Sequence, residues 1–270
     1  MKIAHGRVST ALAHPDVRLR GLALAPYDAA QHRDVPTLFM GLYAAEDFNA
    51  ILTHRGPATL MFCGADARGL QPMVANMIAQ MHPRVRVLAP KLLADDVRAA
   101  GLPVNVVHGV FASDPAPFAP TPLGKRVYAY CPWERAGEYG IDTIVQVAER
   151  MPKIDFCIGR WGDHPRPFAN ALPLGPWTDH ANMANVYADC FCSIRTVARD
   201  GFPSSPVEMA LMGRPTAHVV DVGVPWIEVA PDADAMVAFI EGAMLRSEPD
   251  LALARTARAY VSDLSFLDRI

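Results

Sequence analysis

Residues 190–220 read CFCSIRTVARDGFPSSPVEMALMGRPTAHVV, and the pattern of this stretch decides the fold. Cys190 to Ile194 is a short apolar run that reads as a strand, with Arg195 at its end. The Gly-, Pro- and Ser-bearing segment after it is a loop. Pro206 to Met212 has helical spacing, with Ser205 expected as N-cap, Pro206 at the first helical position and Glu208 at the third. Pro215 to Val220 is again a strand. Strand, loop, helix and strand in that order form the repeating unit of a parallel sheet.

The same alternation runs outward in both directions. Upstream, Thr37–Gly41, Ala58–Gly64, Val85–Leu88 and Val104–Val107 read as strands. Helices are expected at 45–52, at 70–81 (Met73, Met77, Ile78 and Met81 forming its stripe) and at 91–100, closed by Gly101. Residues 112–124 break the pattern with Pro115, Pro117, Pro120 and Pro122, a stiff segment of the kind that links domains. The alternation then restarts. Strands fall at 126–130, 154–159 and 171–174, and helices at 141–151, 181–187, 234–245 and 251–260. The fold class is α/β, two Rossmann-like domains in tandem.

Composition sets the outer bounds. The 270 residues are 51% hydrophobic and 20% charged, which excludes disorder and collagen-like repeats. The five cysteines are scattered without a C-x-x-C pair, so reduced thiols and no metal ligation are expected. The start of the chain lacks the apolar core of a secretory signal. The longest nearly uncharged stretch, 101–124, carries five prolines and Asp114 and is no membrane span. A cytoplasmic protein is the expectation. Net charge is −3, but residues 1–120 hold 11 basic and 9 acidic side chains and six of nine histidines. That half has a weak attraction for an anionic acceptor, although no basic run marks a nucleic-acid footprint.

Open parallel sheets bind ligands where strand carboxyl ends and helix N-termini gather, so the 195–215 loop is the place to look for chemistry. Backbone N–H groups at the start of its helix suit an anion such as a diphosphate. A helix end alone offers an exposed charge about 0.3–1 kcal/mol, so a cation is needed as well. Arg195 is the first choice and Arg199 the second. Two carboxylates, Asp200 and Glu208, bracket the loop. Each has a plain structural reading beside the functional one: Asp200 as a turn residue before Gly201, and Glu208 as half of a Ser-x-x-Glu capping box. On the first half of the chain Asp66, in Phe62-Cys63-Gly64-Ala65-Asp66, is either a helix N-cap or a general base, with His5 and His108 behind it. Trp133, Trp161, Trp177 and Trp226 read as core or wall residues, with a stacked nucleobase open for one of them.

Asp200-Gly201-Phe202-x-x-x-Pro206-Val207-Glu208-Met209-Ala210-x-x-Gly213-x-Pro215 resembles the E-G-F-x-x-x-x-x-E-A-M-A-x-G-x-P signature of family 4 glycosyltransferases, which have the GT-B fold. Val106 to Val110 with Phe118 and Pro120, Phe156 to Gly162, Leu174-Gly175 and Val186 to Cys190 are similar to further family motifs in the same order, a match spanning about residues 104–245. The resemblance implies two domains facing across a cleft: 1–118 for the acceptor and 119–250 for the donor. A C-terminal helix and tail, 251–270, would pack back on the N-terminal domain.

It implies a transferase that moves a sugar from a nucleotide-diphosphate sugar, a UDP-sugar being the expected donor, to a hydroxyl acceptor. Configuration is retained and neither metal nor other cofactor is needed. Asp200 with the Gly201 and Phe202 amides would contact the donor sugar, and Glu208 the ribose. Ser204 and Ser205 would line the donor site, and Arg195 with Arg135 would clamp the diphosphate. Two departures stand out. Pro203 replaces the third loop glycine, and Arg135 with Tyr139-Gly140 occupies the segment where the family has Arg and Lys-Gly. Asp66 would serve as base if the enzyme inverts. The short N-terminal half resembles that of bacteriophage enzymes, some of which glycosylate hydroxylated DNA bases; a glycan, lipid or small-molecule acceptor is equally open. A sugar-nucleotide epimerase or hydrolase, or a non-catalytic nucleotide-sugar-binding module, stands as the alternative.

Overall fold

The computed structural model describes residues 3–10, 12, 18–19, 21–81, 85–107, 114–175, 180–201 and 203–263. Its contacts divide into two compact units, Met1–Asp114 with Arg199–Phe202 and Val261–Ile270, and Pro115–Ala198 with Pro203–Tyr260.

The first unit is a parallel sheet of six strands: β1 His5–Val8, β2 Ala25–Pro26, β3 Thr37–Met40, β4 Ala58–Met61, β5 Val85–Pro90 and β6 Asn105–Val107. The order is β2-β1-β3-β4-β5-β6, so the chain reverses direction across the sheet between β1 and β3. Helices α1 Ala45–Thr53, α2 Ala65–Arg68, α3 Pro72–Met81 and α4 Lys91–Ala99 connect the strands. Both faces of the sheet are covered. The cross-strand row Phe39, Leu60, Val87 enters one apolar cluster with Ile78 and Val97, and the row Met40, Met61, Leu88 enters another with Leu19 and Leu22. This double burial is why these strands read as continuous apolar runs.

β1 and β2 leave no such trace. In β1 the half-buried His5 and Arg7 alternate with Gly6 and Val8, and β2 has two residues. The stripe expected for α3 is also rotated in the structure. Ile78 faces inward as expected, but Met73 and Met77 are exposed, at 71% and 40%, and Ala75 is buried in their place. Spacing alone cannot rank faces on a helix rich in apolar residues.

The second unit has strands β7 Arg126–Tyr130, β8 Phe156–Gly159, β9 Ala171–Pro173, β10 Cys190–Arg195, β11 Thr216–His218 and β12 Ile227–Val229, all parallel. Their order, β12-β11-β10-β7-β8-β9, is the Rossmann order, with its reversal between β7 and β10. Helices α5 Ile141–Arg150, α6 His180–Ala188, α7 Ser204–Leu211, α8 Ala233–Met244 and α9 Leu251–Ser262 complete it, with a 3₁₀ turn at Trp133–Arg135. Val127, Ala129, Ile144, Val147, Phe156, Ile158, Ile194, Met236 and Ile240 form the core.

The proline-rich segment is less of a free linker than its composition implies. Phe118 is fully buried beside Tyr187, and its carbonyl accepts from Arg258 of α9 at 2.8 Å. The guanidinium of Arg214, also fully buried, donates to Thr121 Oγ1 (2.8 Å) and to the carbonyls of Pro122 (2.9 Å), Cys190 (2.8 Å) and Met212 (2.8 Å). Helix α9 is held by the second unit as far as Tyr260, whose ring meets Trp226 edge-on at 4.8 Å. Among the described residues no helix is long and apolar enough to cross a membrane.

Candidate functional site

The carboxyl ends of β7 and β10 lie at the point where the strand order of the second unit reverses, the place where open α/β sheets leave a crevice for a ligand. Tyr130 ends β7 and Arg195 ends β10. The Arg195 guanidinium sits 4.9 Å from the centre of the Tyr130 ring and 5.6 Å from that of Tyr139, and the residue is only 7% exposed. Arg135 lies against Tyr139 as well, at 5.3 Å, while its guanidinium fork donates to Glu138 at 3.1 and 2.5 Å. A third guanidinium, that of Arg160 after β8, donates to the Tyr130 hydroxyl at 3.5 Å. The structure therefore gathers Arg195 and Arg135 on one tyrosine ring, with Arg160 beside them.

Local sequence explains the gathering. Gly140 has φ +69°, and a Cβ there would come within 2.7 Å of the Thr196 carbonyl oxygen. Only glycine meets both demands. Thr196 Oγ1 in turn donates to the Tyr139 carbonyl at 2.5 Å, so the turn ahead of α5 is stitched to the end of β10. Tyr139-Gly140 thus sets one aromatic ring against two guanidiniums.

Helix α7 begins two residues earlier than its sequence signals. Pro203 is the N-cap, with no side-chain cap bond, and Ser204 is the first helical residue. The expected Ser205 N-cap and Ser-x-x-Glu capping box are absent, because Glu208 is the fifth residue of the helix. Pro206, in the first turn, loses nothing by having no N–H there. Glu208, 6% exposed, instead accepts a 2.7 Å hydrogen bond from the buried Tyr187 hydroxyl. Burial first, and the Glu208 charge second, push the Tyr187 phenol well above its usual range, which keeps it a proton donor to the carboxylate. Ser204 is half-buried and Ser205 buried, and helix geometry leaves their amides without intrahelical partners.

In the first unit, Asp66 is 7% exposed and its carboxylate accepts from three backbone amides: Leu42 at 3.1 Å, Cys63 at 3.1 Å and Gly64 at 2.7 Å. Burial, the larger effect, raises its pKa, and the amide hydrogen bonds pull it back down. Asp66 thereby ties the turn after β4 to the turn after β3. Gly201 lies against that turn, since a Cβ on it would be 2.0 Å from the Cys63 carbonyl oxygen. Asp200 beside it is half-buried. Arg199 is exposed and 3.8 Å from Asp96. His5 stands at the amino end of β1, stacked on His32 at 3.8 Å, and so away from the strand ends that carry ligand sites. Phe202, His108 and Trp177 lie outside the described residues.

Sequence reasoning missed Tyr130, Tyr139, Arg160 and Tyr187 as site residues. A signal existed for two of them. Tyr139-Gly140 departs from the family pattern, and Tyr187 lies in the Val186–Cys190 segment that resembles a family motif. Among the described residues no group of three or more His, Cys, Asp or Glu could hold a metal ion.

Two Rossmann-like domains in succession make this a GT-B fold. Of the solved structures it resembles, the sucrose-phosphate synthase of Thermosynechococcus elongatus aligns with a TM-score of 0.60 at 13% identity, over 87% of this chain and 71% of that one. The UDP-forming α,α-trehalose-phosphate synthase of Burkholderia xenovorans, in complex with glucose-6-phosphate, aligns at 0.56 and 11% identity, over 96% and 82%. TarM aligns at 0.58 and 12% identity over 86% of this chain, which spans only 53% of TarM. No protein-family model matches the chain, and no curated protein matches it in sequence.

Proposed function

We propose that the protein is a glycosyltransferase of the family 4 type that transfers a sugar from a nucleotide-diphosphate sugar to a hydroxyl acceptor. The observation that carries this reading is the pairing of Arg195 and Arg135 on Tyr139 at the β7/β10 reversal of a Rossmann sheet. It is supported by the GT-B fold, shared with synthases whose names denote sugar transfer and, in one case, UDP formation.

Transfer breaks the bond between sugar C1 and the diphosphate oxygen and forms a bond from C1 to the acceptor oxygen. The acceptor proton passes to the leaving diphosphate. Negative charge grows on that diphosphate as the bond breaks, and Arg195 and Arg135 are the groups that stabilise it, with the Ser204 and Ser205 amides at the start of α7. Glu208, held by Tyr187, takes the ribose hydroxyls. Asp200, with the Gly201 and Phe202 amides, takes the sugar hydroxyls. The diphosphate and ribose contacts belong to the second unit.

Retention with the leaving phosphate as base agrees with the state of Asp66, whose two oxygens are engaged by three amides and have a holding task already. The acceptor class we favour is a sugar or polyol hydroxyl, by analogy with the two synthases, over a hydroxylated DNA base.

Calorimetric titration with UDP, GDP, ADP, CDP and dTDP tests the reading. One diphosphate is expected to bind at micromolar concentration, at least tenfold more weakly to Glu208→Gln, a variant that keeps an acceptor for Tyr187. Absence of binding by every diphosphate sinks the proposal.

A further inference from the structure

An aromatic cluster stands beside the arginine–tyrosine group, at the carboxyl ends of β7 and β8. Trp133, three residues past the end of β7, is 41% exposed. Trp161, two residues past the end of β8, is 2% exposed and meets Trp133 edge-on, with ring centres 4.9 Å apart. Trp161 cannot move easily, because its indole N–H donates to the Pro165 carbonyl at 2.9 Å. The exposed His164 lies flat on Trp133, with centres 4.3 Å apart and planes 16° from parallel.

The loop that builds this cluster has an unusual backbone. Arg160 has φ +61°, in the left-handed region that a residue with a Cβ rarely enters, and Gly162 has φ +74°. Those two reversals turn Trp161 inward and return His164 over Trp133. A strained non-glycine residue at a strand's carboxyl end points to function rather than to folding need. Arg160 also joins the two groups. Its carbonyl accepts from the Trp133 N–H at 3.3 Å and its guanidinium reaches the Tyr130 hydroxyl.

We infer that Trp133 is the stacking platform for the nucleobase of the donor, with Arg160 spanning the distance between base and diphosphate. The chemistry that fits is a planar, uncharged heteroaromatic ring. His164 shows that the indole face accepts a flat ring at stacking distance, a base taking that face would displace the exposed imidazole, and the rigid Trp161 fixes the indole's orientation. In a Rossmann sheet the first three strands, here β7 to β9, carry one mononucleotide half, and the cluster lies on that side of the β7/β10 reversal.

This inference rests on the donor site proposed above. It is tested by titrating the wild type, Trp133→Ala and Trp133→Phe with the preferred nucleoside diphosphate and with inorganic pyrophosphate. Base–aromatic stacking predicts a loss of about tenfold to a hundredfold for the nucleotide in Trp133→Ala. It also predicts near-wild-type nucleotide affinity in Trp133→Phe, and pyrophosphate affinity within about twofold in both. Unchanged nucleotide affinity in Trp133→Ala overturns the platform and leaves the donor site standing. An equal loss of nucleotide and pyrophosphate in the Ala variant overturns it too, since the effect would then be a general collapse of the loop. If the wild type binds no nucleoside diphosphate, both the platform and the functional reading fall.

Discussion

The turns at the strand ends of the two units use charge in opposite ways. In the first unit, carboxylates are consumed by the backbone. Asp66 accepts three amides, and Asp47, 2% exposed, accepts the Ser9 hydroxyl at 2.5 Å, the amides of Tyr43 (3.2 Å) and Ala44 (3.0 Å), and Arg7 (3.2 Å). In the second unit the conspicuous charges are guanidiniums, and Arg195 and Arg135 rest on tyrosine rings. A carboxylate filled by amides is a fastener. A guanidinium lying on an aromatic face is held by the ring and still carries N–H donors along its edge, some of which Arg135 gives to Glu138. The first arrangement fastens a turn, and the second gathers cationic donors at the strand ends where the proposed diphosphate site lies.

The largest test of this contrast compares two buried arginines of the second unit. Arg214→Met strands several buried carbonyls around a lost cation, and should lower unfolding free energy by at least about 3 kcal/mol in urea denaturation. Arg195→Met takes a guanidinium off two tyrosine rings; it should cost clearly less than the Arg214 change in the same denaturation, yet abolish measurable pyrophosphate binding. Equal destabilisation with pyrophosphate binding intact would make Arg195 a second strut.

Next comes Asp66→Asn. One accepting oxygen then faces three amides, and a loss of about 1–3 kcal/mol is expected by thermal or urea unfolding. Turnover should fall without a change in the shape of its pH profile. Disappearance of the profile's acidic limb at unaltered stability would return Asp66 to the role of base.

Tyr187→Phe is milder. It removes the 2.7 Å bond to Glu208, and about 1–2 kcal/mol of stability should go with it. Nucleotide affinity should weaken only several-fold, since the carboxylate itself remains. A loss as large as that of Glu208→Gln would mean that the tyrosine, not the carboxylate, contacts the ligand.

Asp250 gives the smallest effect. Amide bonds from Leu253 and Ala252 at the start of α9, with Arg246 beside it, hold its carboxyl below the usual carboxylate value. A depressed folded pKa contributes stability above the unfolded value of about 3.9, lost as pH falls through the folded one. Asp250→Asn should therefore cost about 0.5–1 kcal/mol at pH 7 and flatten the acid limb of the stability curve below pH ~4. An acid limb identical to that of the wild type would show the carboxylate charge to be irrelevant.

Much of this was legible in residue order. Double burial writes a strand such as Thr37–Met40 or Ala58–Met61 as an unbroken apolar run, and the runs alternate with helices at a spacing that only parallel sheets use. Strands with no apolar run escaped: β1 alternates His and Arg with small residues, β2 has two residues, and β12 has three. In the site, Arg195 and Glu208 were visible because each occupies a position fixed by its own strand or helix. Arg135 was visible through its resemblance to a family position.

The rest depended on partners far apart in the chain. Whether Glu208 capped its helix or met Tyr187, 21 residues earlier, turned on where α7 began, which is at Ser204 with Pro203 as N-cap. Whether Asp66 was a base or a fastener turned on the Leu42 amide, 24 residues away. Periodicity is a local property, so the sequence by itself determined the two Rossmann units and the loop that carries the arginine and the carboxylates. A hydrogen bond or a stacked ring depends on positions in space, so only the tertiary structure decided which charges are bound inside the fold and which stand on aromatic faces.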